Sequence, residues 1–161
     1  LTVNPSFSQL VRSPVLLLAF GFGSGLSPKA PGTVGTIAAI PLWLLLAQLP
    51  QIPYILVVAA AALIGISICG VAAERLGVHD HGGIVWDEFV GLWIAMAFLP
   101  PSYVSLALGF ILFRLFDIIK PWPISWLDKN VGGGLGIMID DVVAGLAAGV
   151  CALIIQTLLL N

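Results

Sequence analysis

The chain has 161 residues, of which 60% are hydrophobic and only 9% charged, against about 25% charged in a soluble globular domain. Its mean hydropathy is +1.12 and its net charge −2. So few charges cannot cover a domain of this size in water, which argues against a soluble enzyme or a disordered segment, and the weak negative charge offers no basic field for nucleic acid.

The length fits one membrane-embedded domain over residues 1–161. In chain order, residues 14–26 are apolar but short and carry Gly21, Gly23 and Gly25. They read as an interfacial or re-entrant N-terminal segment rather than a span or a cleaved signal peptide, because charged motifs follow at once. Apolar runs then cover residues 34–49, 52–73, 89–99, 103–119 and 142–160. At 1.5 Å per residue the second and fifth cross roughly 30 Å of hydrocarbon unaided, and the first and fourth fall slightly short. The third reaches only about 17 Å unless it starts near Ile84, which carries Asp87 and Glu88 into the helix. The expected fold is all-α, a polytopic membrane helix bundle of four to five spans.

Charge placement sets the topology. The turns LPQIP (49–53) and LPPSY (99–103) are uncharged, and all six Lys and Arg fall on the opposite side. The positive-inside rule assigns that side to the cytoplasm. Cys69 and Cys151 lie in apolar runs, so no disulfide framework is indicated. Cys69 and Arg75 satisfy a literal Cys-x5-Arg, the thiol phosphatase pattern. The residues between them continue an apolar helix whose N–H groups are already bonded, so that chemistry is set aside.

Five clusters could carry chemistry. GFGSGLSPKAPGTVGT (21–36) is rich in glycine and hydroxyls and feeds a helix. Its backbone N–H groups, with Lys29 among them, suit an anion, and Thr33 or Thr36 could cap the helix, the bland alternative being a flexible loop. His79, Asp80 and His81 stand together in VHDHGG, where a histidine could act as general acid or simply sit in a solvated loop. Two acidic pairs, Asp87/Glu88 and Asp140/Asp141, open apolar helices on the same side. Helix capping explains one such pair, but two pairs partly buried in an almost charge-free chain suit Mg²⁺ better. Arg114, Asp117 and Lys120 are spaced by three and form either an ion-pair ladder or a phosphate and metal support.

The stretches GIVWDEFVGL (83–92) and GIMIDDVVAGL (136–146) also resemble each other, as a short internal repeat or by coincidence. Asp87 and Gly91, like Asp141 and Gly145, are spaced i,i+4. Each acid therefore shares a helix face with a glycine that lets a neighbouring helix approach closely.

Together these motifs resemble the phosphatidylglycerophosphatase A family. The carrying stretches are GFGSGLSPKAPGTVGT, GVHDHGGIVWDEFVG and FRLFDIIKPWPI with its continuation to NVGGGLGIMIDDVVAG, roughly half the chain in the family's order. The resemblance implies a Mg²⁺-dependent helical enzyme of the bacterial cytoplasmic (inner) membrane. Such an enzyme removes the terminal phosphate of phosphatidylglycerophosphate, leaving phosphatidylglycerol. Its partners are then the phospholipid and the bilayer, and no nucleic acid. The family's signature acids fall on Asp80, Asp87, Glu88, Asp117, Asp140 and Asp141.

The expected roles follow from chemistry and resemblance together. Asp87, Glu88, Asp140 and Asp141 are expected to hold Mg²⁺. Lys29, Thr33, Thr36, Arg114 and Lys120 would face phosphate, and His79, Asp80, His81 and Asp117 would serve catalysis. A transporter would instead spread polar residues through the bilayer depth. A non-catalytic membrane adaptor would leave the buried acids without a purpose.

Overall fold

The computed structural model describes residues 4–78 and 81–159, and every regular element among them is helical. Two short helices come first, α1 (Phe7–Arg12) and α2 (Pro14–Ala19), followed by a 3₁₀ turn over Gly21–Leu26. The longer helices are α3 (Pro31–Leu46), α4 (Gln51–Leu76), α5 (Trp86–Ala95) and α6 (Tyr103–Ile119). A short α7 (Ile124–Asn130) leads into the final helix, α8 (Gly133–Leu159). Both α4 and α8 are long and apolar enough to cross a membrane, and α3 is a shorter apolar helix.

Local chemistry explains the boundaries. Pro31 starts α3, where its fixed φ suits the first turn and its missing N–H costs nothing. Helix α4 ends in left-handed Gly77, φ 68°, and the N–H of Val78 returns to the carbonyl of Ala73 at 3.2 Å. At α6 the Ser102 side chain accepts the N–H of Ser105, and the far end closes on left-handed Lys120, φ 47°. A lysine there costs roughly 1–2 kcal/mol of backbone strain, so other contacts must hold it.

The ten-residue α5 is the hub. Trp93 Nε1 donates to the Ala39 carbonyl of α3, and Trp86 Nε1 to the Ala61 carbonyl of α4, both at 3.2 Å. Tyr54 of α4 donates its hydroxyl to the Trp93 carbonyl at 2.6 Å. These bonds satisfy indole and phenol groups that would otherwise be costly in an apolar core. They also tie the end of α5 to the start of α4 and the middle of α3, and the start of α5 to the middle of α4. The outer faces carry Leu44, Leu56, Leu63, Ile111, Ile118, Val150 and Leu158, all exposed, a surface suited to lipid rather than water.

Two expectations change. The third apolar run forms a helix of only ten residues. The last run begins at Gly133 rather than near residue 142, so Asp140 and Asp141 lie two turns inside α8 and do not open it. The cause is the glycine-rich 133–136 stretch, which packs as the first turn of α8. A Cβ at Gly134 would collide with the carbonyl oxygen of Ile66 on α4, so glycine is what lets this turn of α8 lie against α4. Capping by a helix dipole therefore cannot explain Asp140 and Asp141.

Candidate active site

Helices α5 and α8 run side by side at two facing glycines. A Cβ on Gly145 would strike the carbonyl oxygen of Gly91, and one on Gly91 would stand 3.1 Å from the backbone oxygen of Asp141. Such close approach lets helices pack without large side chains between them. One turn from this crossing, Asp87, Glu88 and Asp141 bring carboxylate oxygens within 4.8 Å of one another. Sequence spacing had marked both glycines, and the structure makes them each other's neighbours.

These acids are starved of partners. Asp87 Oδ1, Glu88 Oε2, Asp140 Oδ1 and Asp141 Oδ2 are buried and accept no hydrogen bond. Orphaned buried oxygens of this kind are expensive, and four at one place mark a site made for something that is not protein. They border a cavity of about 150 Å³ whose wall also includes Gly82, Asp117, Lys120 and Asp128. Six carboxylates and one lysine therefore line it. Hard oxygen ligands in negative excess fit a divalent cation such as Mg²⁺, which takes one or two carboxylates and keeps room for other oxygens.

Two cations stand opposite the acids, each shared. Arg114 lies 3.6 Å from Glu88 and pairs closely with Asp117. The i,i+3 pair expected from spacing is thus present. Lys120 leaves the ladder: its left-handed backbone turns Nζ away, and it meets Asp128 and Asp140, each at 2.6 Å. Burial alone would lower the pKa of Lys120, but hydrogen bonds and charge from Asp128 and Asp140 outweigh it and raise it above the usual lysine range. Those two bonds also offset the strain of its backbone.

The glycine-rich N-terminal segment contributes from one side only. A Cβ at Gly32 would collide with Glu88 Oε1 and crowd the Arg114 guanidinium, so the first turn of α3 seals the Glu88–Arg114 edge. Thr33 lies beside Gly32, half-buried, whereas Thr36 is wholly buried and donates its hydroxyl to the Gly32 carbonyl at 2.8 Å. Lys29 is exposed and does not line the cavity. Gly25 and Gly83 touch backbone to backbone, and Val85 N–H donates to the Ala19 carbonyl at 2.8 Å. The N-terminal helices thereby brace the loop before Asp87.

Among the histidines, His81 is buried, and its Nδ1 accepts the N–H of Gly83 at 3.0 Å. In the neutral ring this leaves the proton on Nε2, which is buried without a partner. His79 and Asp80 lie outside the described residues. Asp128 is the residue that sequence reasoning missed. The only available signal was its acidic type eight residues beyond Lys120, and no helical spacing joins them because the chain turns between.

The chain is similar to known proteins over most of its length. A family model described as Phosphatidylglycerophosphatase A matches residues 17–156. The chain is 51% identical over 158 residues to Phosphatidylglycerophosphatase A of Escherichia coli (strain K12), covering 93% of this chain and 92% of the relative. It is 44% identical over 155 residues to Phosphatidylglycerophosphatase A of Haemophilus influenzae, covering 95% of each. No solved structure matches.

Proposed function

Because the chain belongs to the phosphatidylglycerophosphatase A family and is a phosphatase, we propose that it hydrolyses phosphatidylglycerophosphate to phosphatidylglycerol and phosphate, using Mg²⁺, at the cytoplasmic face of the inner membrane. The observation that carries this reading is the group of three carboxylates within 4.8 Å, with orphaned oxygens, at one end of an apolar bundle. Asp87, Glu88 and Asp141 hold the cation, with Asp140 beside them. Bound there, Mg²⁺ supplies charge neutralisation and Lewis acidity toward phosphoryl oxygens.

The remaining steps belong to the protein's own side chains. Lys120 and Arg114 offset the charge of the phosphoryl group, which is where most catalysis of phosphoryl transfer arises. Asp117 orients Arg114, the closest ion pair of the site. His81, one residue from the cavity wall at Gly82, has an Nε2–H that can hydrogen-bond the departing lipid oxygen, the proton which that oxygen takes up coming from the attacking water; His79 and Asp80 precede it in sequence. The first turn of α3, with Thr33, closes the phosphate side.

A lipid head group sets the orientation. The spans are α3, α4, α6 and α8, with short α5 enclosed, and α1, α2 and the 3₁₀ turn lie at the interface. With α5 carrying the chain back across inside the bundle, this reading puts Arg12, Lys29, Arg75, Arg114, Lys120 and Lys129 at one end, which the positive-inside rule gives to the cytoplasm. A cysteine at Lys129 in a background lacking Cys69 and Cys151 is expected to resist impermeant maleimide in intact spheroplasts and to react after lysis. One at Pro100 should react in both, and the reverse pattern would turn the molecule over.

The direct test is phosphate release from phosphatidylglycerophosphate in detergent. Activity is expected to vanish with chelator and to return with Mg²⁺. Calorimetry of Mg²⁺ binding should lose its signal when Asp87 and Asp141 are both amides. Full turnover in chelator, or unchanged binding in that variant, would remove the metal assignment.

A further inference from the structure

Asp128 has no part in the chemistry proposed above, yet it stands on the cavity wall, paired with Lys120. Its exposure gradient is informative. The Asp128 side chain is 38% exposed and that of Lys120 29%, whereas Asp140 on the other side of the same ammonium is 8% exposed. The three groups thus form a row from the opening inward, with Nζ at 2.6 Å from each carboxylate. Asp128 comes from the short α7, which packs on α8 and leaves Trp126 and Lys129 exposed.

We propose that Asp128 occupies the place on Lys120 that the substrate phosphate takes, and that it is displaced when the phosphorylated head group enters. This rests on the phosphatase reading above. An ammonium has three donor directions, of which two are spent on carboxylates here. A phosphate monoester on the remaining direction would crowd two like-charged carboxylates held by the same ammonium, so the phosphate, with more charge and three acceptor oxygens, displaces one of them. The choice of which carboxylate yields is decided by burial. Releasing Asp140 would strand a second unpartnered oxygen in an apolar wall, because its Oδ1 already has none. Releasing Asp128 only returns a half-exposed carboxylate to water, where an ion pair is weak.

Asp128 therefore does two things. Without substrate it keeps Lys120 extended into the cavity rather than folded out to solvent. With substrate it is a competing anion that returns when product phosphate leaves. It is a positioning residue and sets affinity rather than making bonds to the reacting atoms.

The test is a double-mutant cycle on the full chain in detergent, with Asp128→Asn, Lys120→Gln and the pair. Inorganic phosphate affinity is read by calorimetry in the presence of Mg²⁺, and KM and kcat by phosphate release. In Asp128→Asn the phosphate dissociation constant and KM are expected to fall about two- to fivefold, the worth of one partly exposed ion pair, without a rise in kcat. In the Lys120→Gln background the same change should have no effect on phosphate affinity, because the competition needs the ammonium. Unchanged or weaker phosphate binding in Asp128→Asn would overturn the proposal. So would an equal gain without Lys120, since that reports only a lower negative field. If Asp128 merely tethers α7, KM rises and the thermal midpoint drops, which also refutes it. Absence of activity in the wild-type chain would instead defeat the phosphatase reading, and the calorimetric cycle would still decide the competition.

Discussion

Asp141→Asn is expected to lower kcat about 10²–10³-fold, the loss seen when one preorganised electrostatic group is taken from a reaction centre, while raising the thermal midpoint in chelator. The two effects share a cause. Asp141 is 3% exposed and contributes an oxygen within 4.8 Å of those of Asp87 and Glu88. Two unit charges about 4 Å apart repel by about 4 kcal/mol at an effective dielectric of 20, and three acids in one pocket multiply that conflict. A divalent cation removes it, and so does an amide, which carries no charge and can donate to a neighbouring carboxylate. The variant therefore stabilises the empty protein and disables the loaded one, as when a strained site is relaxed. Phosphate release and thermal unfolding with and without Mg²⁺ check both halves. In the wild type Mg²⁺ should raise the midpoint, and in Asp141→Asn that rise should shrink. Near-normal kcat, or a midpoint that falls in chelator, would show that Asp141 is not part of a charge-crowded centre.

Gly145→Leu is expected to cost activity by about 10²-fold, the penalty for displacing a reacting centre by about 1 Å, although Gly145 touches no carboxylate. A side chain there must displace the Gly91 carbonyl, so α5 moves from α8 and Asp87 from Asp141. Overpacking of this kind costs roughly 1–3 kcal/mol of stability, which a thermal scan reads separately. Gly145→Ala should fall between wild type and leucine. Leu146→Ala, one residue on and exposed, should leave activity and midpoint nearly unchanged. Equal activity in Gly145→Leu and wild type would mean that the helix contact does not set the carboxylate spacing.

Much of the candidate site is legible in the sequence. Asp87, Glu88 and Asp141 stood out because intramembrane acids are rare and costly, and Gly91 and Gly145 because they repeat their offset from an acid. The Arg114–Asp117 pair followed from helical spacing. What was hidden lay where the chain leaves a helix. Spacing left Lys120 either in an ion-pair ladder or on the phosphate, and its left-handed backbone brings it to Asp128 and Asp140. Thr36 looked like a ligand and serves its own helix. The last apolar run was expected from residue 142, and only the closeness of Ile66 to Gly134 shows why the helix starts at Gly133.

Composition and periodicity alone determined that this is a helical protein with a large apolar surface, and which acids are out of place in so apolar a chain. Those properties depend on transfer energies and on the 3.6-residue repeat, both local to the chain. The tertiary structure alone decided which acids meet, that Arg114 and Lys120 are each shared between two carboxylates, and that Asp128 joins the site. Such facts depend on the distance between helices far apart in sequence. Here that distance is set by backbone contact at Gly91 and Gly145, where the absence of a side chain does the positioning.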